Sequence, residues 1–485
     1  MSDQPNILLI FTDQHRLSAC SPYGETVCRT PNMQRLAEEG VRLENAYTAC
    51  PVCTPARGTI MTGQFPHGHG MMTNIYNTGC AVNEIPDEPE LLSRRLQSAG
   101  YRLGYSGKWH LGRKTLPRDV GFEGHGCPGH GNGGFGFETY REYLQERGLQ
   151  HGVREQVRGA GVVEEPLEGS VPYFLTENTI DLMDRFAAED EPFFIWHNFW
   201  GPHAPYFCTQ EFLDLYEGVE IPPWPTYEWP ASDIPGPHHG TIHPLAAEWE
   251  WSDWERLVRF YYAFTTMIDS QIGRMLDHLD RSGLAENTVV LLVADHGETL
   301  GSHGGLMNKG YHHFEETHRI PFIVRDPRRT DGGGVRDGLV SQTDVYPTIL
   351  DLAGADFDTE QIHGRSLTPL LEGRNGDWRD MVVTEFNGVD NAMATMRTLR
   401  WDHYKYGFNA ANMDELYDLN EDPHETRNLI RDPAYREVAY EAQERLRDWI
   451  QSTGDSAHHV FQRKHAGRHR HWIRGSAGLV GNPVE

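Results

Sequence analysis

Residues 6–14, NILLIFTDQ, hold an apolar run that begins after Asn6 and closes on Asp13 and Gln14. A short continuous apolar run bounded in this way predicts a strand covered on both faces. The pattern returns at 289–297, VVLLVADHG, where the run ends on Asp295 and His296. Runs at 101–106 (YRLGYS), 193–199 (FFIWHNF) and 321–325 (PFIVR) predict three further strands. Helical patterns lie between them at 31–39, 90–99, 176–189 and 254–282, with Thr30 and Pro31 opening the first and Gly40, Gly100 and Gly283 acting as stops. Strands alternating with helices predict an α/β fold with a large, mostly parallel sheet flanked by helices. Such sheets bind ligands beyond the carboxyl ends of their strands. Four of those ends carry reactive side chains: Asp13 and Gln14, Lys108 and His110 in GYSGKWHLG, His203 in IWHNFWGPH, and Asp295 and His296. Any one of them reads as a cap or turn, whereas the four together read as a site.

The chain has 485 residues, more than one hydrophobic core usually spans, so a main domain with a smaller companion is expected. We place the main α/β domain at 1–375. A polar break near 373–378 (GRNGDW) precedes strand-like MVVTEF and a helical pattern at 433–451, which predicts a smaller C-terminal α+β unit at 376–452. The His- and Arg-rich residues 453–485 lack apolar periodicity and read as an extended tail. A Pro- and Trp-rich stretch at 221–254 reads either as a lid or pocket wall, or as a surface excursion or oligomer contact.

Lys and Arg number 43 against 70 for Asp and Glu, giving a formal charge of -27 that argues against nucleic acid or an anionic membrane as partner. An anionic substrate therefore requires a locally positive site. The N-terminal apolar run is too short, and lacks the basic flank, for a signal peptide, and no segment is long enough to span a bilayer. A cytoplasmic protein is expected. Seven cysteines without framework spacing predict free thiols.

One thiol stands apart. In residues 50–63, CPVCTPARGTIMTG, Pro55 and Arg57 suggest a helix start, which sets Cys53 at the positive end of a helix. Such a place lowers a thiol pKa and suggests a reactive cysteine, against the plainer reading of a small packed residue. Cys50 and Cys53 also form a C-x-x-C pair, without the surroundings of a redox fold.

The string CTPARGTIMTG resembles the signature of the type I sulfatases of the alkaline phosphatase superfamily, and PNILLIFTDQ, GYSGKWHLG, GPHAPY, ADHGETLGSHG, RIPFIV and ELYDLNEDPHETRNL follow in that family's order. The resemblance implies that a maturation enzyme converts Cys53 to formylglycine (3-oxoalanine), with Arg57 orienting it. It implies a divalent metal at Asp13, Gln14, Asp295 and His296 together with residue 53. Lys108, His110, His203 and Lys309 match sulfate-contacting and proton-transferring positions, and Asn74 matches a further polar contact. Many relatives have Asp in place of Gln14 and Asn in place of His296, which makes this ligand set less anionic.

The expected reaction is hydrolysis of a sulfate ester, of a small molecule or a saccharide. A hydrated aldehyde attacks sulfur with one hydroxyl and releases sulfate through the other, so the nucleophile regenerates itself. Hard oxygen ligands suit Ca²⁺, while an imidazole admits Mn²⁺. His203 or Lys309 is the expected acid for the leaving alcohol and His110 the expected base. Three alternatives stand beside this reading: a phosphonate monoester or phosphodiester hydrolase, toward which Gln14 and His296 lean; a non-catalytic binder of sulfated ligand with Cys53 unmodified; and a metal-dependent phosphatase using Thr54. Trp109, Tyr76, Trp196, Trp200 and the Trp-rich stretch are the expected stacking surfaces for the organic half. A homo-oligomer is expected from base rates alone.

Overall fold

The computed structural model describes residues 4–465 except 25, 78–79, 89, 128–137, 151, 158, 190, 230–247, 329–331, 375 and 390–391. Eight strands form the main sheet: β1 (Asn6–Asp13), β2 (Val41–Tyr47), β3 (Arg102–Lys108), β4 (Glu123–Cys127), β7 (Phe193–Pro202), β9 (Thr288–Ala294), β10 (Phe322–Arg325) and β11 (Gly334–Ser341). Their order is β11-β2-β10-β9-β1-β7-β3-β4. Every neighbouring pair is parallel except the two made by β10. A small three-stranded sheet holds β5 (Val153–Val157), β6 (Ala160–Val163) and β8 (Tyr206–Thr209), and a four-stranded antiparallel sheet holds β12 (Met381–Val389), β13 (Ala392–Trp401), β14 (Tyr404–Asn409) and β15 (Glu415–Asp418).

The five predicted strands are all present, at the centre of the sheet or beside it. β1 shows why a continuous apolar run was needed. Ile7, Leu9 and Phe11 enter one core, with the helices Leu92–Ser98 and Val345–Ala353, while Leu8 and Ile10 enter the other, under the long helix Trp251–Ser282. Each of these five side chains is fully buried. The segment at 321–325 is a strand, yet it runs antiparallel to β9. A parallel neighbour requires a long crossover, usually a helix. The connection from β9 to β10 contains only the one-turn helices Ser302–Gly305 and Glu315–His318, so the chain returns from the end where it left. The whole connection is thereby stacked at the carboxyl edge of β9.

One expectation requires correction. Within the expected tail, His458–His465 is a helix. Phe461 and His465, one turn apart, bury an edge against Phe408 of β14, with Phe408 and Phe461 centroids 5.0 Å apart. Residues 466–485 lie outside the described residues, as do 230–247 of the Trp-rich stretch. The described part of that stretch forms a wall. Trp224 donates its indole N–H to the Leu300 carbonyl at 2.7 Å, bracing the connection that follows β9, and Trp229 donates to the Thr426 carbonyl at 2.6 Å, beyond β15. Among the described residues no helix is long and apolar enough to cross a membrane.

Candidate active site

Parallel register brings the predicted strand ends together. β1 lies between β7 and β9, so Asp13 at its end stands beside Pro202 and next to Asp295, which follows β9. Lys108 ends β3, the other neighbour of β7. The helix Cys53–Thr62 begins at Cys53, with Pro55 in its first turn and Gly63 (φ 68°) closing it. Its N-terminus aims at the same edge, and the Cys53 side chain is buried at the centre of the cluster. Its Sγ lies 3.6 Å from Asp13 Oδ1, 3.4 Å from His296 Nε2 and 3.4 Å from Lys309 Nζ.

Asp13 is the hub. Its Oδ2 accepts from Arg57 at 2.9 Å and from Lys108 Nζ at 2.7 Å. Arg57 also donates to Asn198 Oδ1 at 2.7 Å and to the Lys108 carbonyl at 2.8 Å. Arg57 therefore fixes Asp13 and the end of β3, and its bearing on residue 53 passes through Asp13. Burial and the Cys53 sulfur would each raise the Asp13 carboxyl, but Lys108, His203 and Arg57 outweigh them and hold it far below the ordinary carboxylate value. Burial would likewise raise the Cys53 thiol, yet Lys108 and Lys309 beside it pull it well below the ordinary value. A chain with a formal charge of -27 thus concentrates three buried cations around one sulfur.

The other strand-end residues complete the ring. Asp295 Oδ1 accepts the backbone N–H groups of Gln14 and His296, each at 2.8 Å. Its Oδ2 is buried without a hydrogen-bond partner, 3.6 Å from His296 Nε2. Burial and the nearby Asp13 push the Asp295 carboxyl up to about 7. His296 is raised despite its burial because the Asp295 carboxylate faces it. Lys309 is raised, against the effect of burial, by Cys53 and Asp13, and its Nζ donates to Gln14 Oε1 at 2.5 Å. Burial lowers His110 to about 4, and burial with Lys309 lowers His203. His203 holds its Nδ1 on the Ala204 carbonyl at 2.6 Å. Gln14 (φ 59°) and His110 (φ 56°) both occupy left-handed backbone that non-glycine residues seldom adopt, a feature that clusters at functional sites.

Ligand atoms of Asp13, Cys53, Asp295 and His296 lie within 4.8 Å of one another. The bare Asp295 oxygen and the two crowded carboxylates are what a divalent cation would satisfy, so these residues fit one. Other predicted residues have structural partners. Asn74 Oδ1 accepts the Thr54 N–H at 3.1 Å and caps the first turn of the Cys53 helix. Thr54 donates its hydroxyl to the His110 carbonyl at 2.8 Å, so it is a brace. Trp109 and Trp196 are fully buried against Tyr105 and Trp200 is nearly so, whereas Tyr76 is 38% exposed and stacked beside His110 at 6.0 Å. Cys50 is a free thiol packed with Val52, Phe386 and Met396, and burial raises its pKa.

Sequence reasoning missed Asn198 and Glu298. Glu298 is fully buried and accepts from the Gln14 side-chain amide and the backbone N–H groups of Leu300 and Asn308. Its signal was available, as the acidic residue in ADHGETLG two positions after His296.

Comparison with known proteins agrees with this geometry. The Sulfatase family model matches residues 5–355, and the model described as N-sulphoglucosamine sulphohydrolase, C-terminal, matches residues 301–452. The chain is 28% identical over 455 residues to an arylsulfatase of Clostridium perfringens, covering 90% of this chain and 92% of that one. It is 28% identical over 450 residues to a choline-sulfatase of Rhizobium meliloti, covering 89% and 83%. Among solved structures, the phosphonate monoester hydrolase of Agrobacterium radiobacter shares the fold with a TM-score of 0.76 at 22% identity, covering 93% of this chain and 96% of that one. With the Sulfatase model matching well over half of its length, the chain belongs to the sulfatases, the sulfuric ester hydrolases of the alkaline phosphatase superfamily.

Proposed function

We propose that this protein hydrolyses a sulfate ester through a formylglycine made from Cys53, with a divalent cation held by Asp13, Gln14, Asp295, His296 and residue 53. The observation that carries the reading is the position of Cys53. It is buried on a helix N-terminus within 3.6 Å of Asp13, His296 and Lys309. The hydrated aldehyde would supply a nucleophile whose second hydroxyl, on losing its proton, expels sulfate, and the cation would supply Lewis acidity toward the sulfate oxygens.

The chain's own residues do the remaining work. Lys108 and Lys309 flank residue 53 from two sides and set positive charge where three equatorial oxygens of the substrate gather negative charge. Lys309, raised in pKa, stays protonated and is the proton donor or electrostatic clamp at the leaving oxygen, with His203 beside it. His110, lowered to about 4, is a neutral imidazole at pH 7 and suits the base role at residue 53. Its ring is kept in place by Tyr76 and its backbone by Thr54. Cys53 is 1% exposed, so conversion by a maturation enzyme has to precede closure of the fold.

Turnover of an aryl sulfate by matured protein, lost on chelation and regained with Ca²⁺ or Mn²⁺, tests this reading. Matured protein that leaves every sulfate ester intact contradicts it. A second reading, phosphonate monoester hydrolysis, is favoured by Gln14 and His296 in place of a more anionic pair. It is also the activity named for a structure sharing this fold. Preferred turnover of an aryl phosphonate would select it. The organic half of the substrate meets Tyr76, which stays exposed beside His110, with the Arg113 guanidinium 5.4 Å from its ring centroid.

A further inference from the structure

We propose that Glu298 is a positioning residue that fixes which end of the Gln14 side-chain amide faces the metal. The inference deepens the proposed function and rests on its placing of a divalent cation at Asp13, Gln14, Asp295 and His296.

An amide ligates a hard cation through oxygen only, so a glutamine at a metal site has to be held against rotation of its amide by half a turn. At Gln14 this is done from both ends. Glu298 is fully buried, and each group facing its carboxylate is a donor. Oε1 accepts the Leu300 N–H at 3.1 Å and the Asn308 N–H. Oε2 accepts the Tyr206 hydroxyl at 3.3 Å and the Gln14 Nε2 group. On the other side Lys309 Nζ, a donor with no acceptor capacity, faces Gln14 Oε1 at 2.5 Å and Cys53 Sγ at 3.4 Å. An acceptor behind and a donor in front permit one amide orientation, with the oxygen toward residue 53.

The backbone at Gln14 is fixed to match. Its N–H donates to Asp295 Oδ1 at 2.8 Å and its carbonyl accepts the Tyr261 hydroxyl at 3.0 Å. Glu298 also receives the N–H of Asn308, the residue before Lys309, so one carboxylate aligns both Gln14 and the lysine that faces it.

The test is Ca²⁺ and Mn²⁺ titration calorimetry, with residue 53 in the same state in every sample. Glu298→Gln keeps the size and the acceptor for the backbone N–H groups but turns an N–H group toward Gln14. It is expected to weaken the better-bound cation about 10–100-fold, as loss of a partner behind a ligand does. The exchanged pair Gln14→Glu/Glu298→Gln restores an acceptor facing a donor and is expected to return to within about threefold of the parent. A merely structural role for Glu298 would leave both variants weak. If Glu298→Gln does not fold, the exchanged pair decides alone, because the proposal requires it to fold and bind. Parent-like affinity in Glu298→Gln, or no recovery in the pair, overturns the proposal while leaving the metal site standing. A parent protein that binds neither cation would instead overturn the metal reading and this inference with it.

Discussion

At the scale of single residues, the account separates two cysteines three positions apart. Cys53 has its thiol lowered by Lys108 and Lys309 against its burial, whereas burial raises Cys50 in an apolar niche. We expect Cys53→Ala and Asp295→Ala to abolish sulfate ester turnover and Cys50→Ala to retain most of it, measured on protein whose melting curve is intact. Loss in Cys50→Ala alone would revive a redox role for the pair. Lys108→Ala, which strips Asp13 of a partner at 2.7 Å and the site of a cation, should lower kcat roughly a hundredfold with little change in melting temperature. The identities of Cys53, Asp13, Lys108, Asp295 and Lys309 were legible because each sits at a punctuated end of an apolar run or motif. What they hold was not. Arg57 reaches Asn198 across 141 positions and Gln14 meets Glu298 across 284, and such pairings exist only once the sheet is assembled. The tryptophans misled for a related reason, since a large amphipathic ring suits a core and a binding surface equally well.

At the scale of elements, the site is a consequence of strand ends held in register. β3 closes against β7 at Gly107, whose φ is 110° and where a Cβ would lie 1.8 Å from the Asn198 carbonyl oxygen. No other residue fits there, and the next residue is Lys108. Gly107→Ala should destabilise the protein by more than about 2 kcal/mol and lower turnover in the fraction that stays folded, read by denaturant unfolding and by kcat. A variant as stable and active as the parent would show that this close approach does not hold Lys108. The central strands were legible from their unbroken apolar runs. Edge strand β11, GVRDGLVS, mixes exposed and buried positions, and its pattern does not rise above that of a loop. The antiparallel turn of β10 was hidden because direction depends on how the chain returns, not on the composition of the strand.

At the scale of the whole molecule, buried charges join the C-terminal sheet to the catalytic layer. His67, just beyond the Cys53 helix, meets Glu385 of β12 and places its Nε2 3.0 Å from the Thr453 carbonyl. Within the C-terminal unit itself, Arg397 of β13 pairs with Asp455 at 2.6 Å. Burial would lower His67, but the Glu385 carboxylate outweighs it and raises the folded-state value above the ordinary 6.5. The folded state then binds more protons than the unfolded one at pH values between these two, so stability falls as pH rises above about 6.5. Below that pH the contribution is fully present. Urea unfolding between pH 6 and pH 9 should show this decline, and His67→Gln should flatten it. An unchanged slope in the variant would remove His67 as its origin.

The same compactness governs maturation. Folded protein with an unconverted Cys53 should resist a maturation enzyme added afterwards, because the thiol is 1% exposed. The most direct test of the central claim is therefore the mass of the tryptic peptide spanning residues 43–57, from protein made in a host that carries the maturation enzyme. The account predicts replacement of the Cys53 sulfur by the aldehyde oxygen of formylglycine. An unmodified thiol from a host that matures a control sulfatase would contradict it and leave the buried cations around Cys53 to serve binding alone.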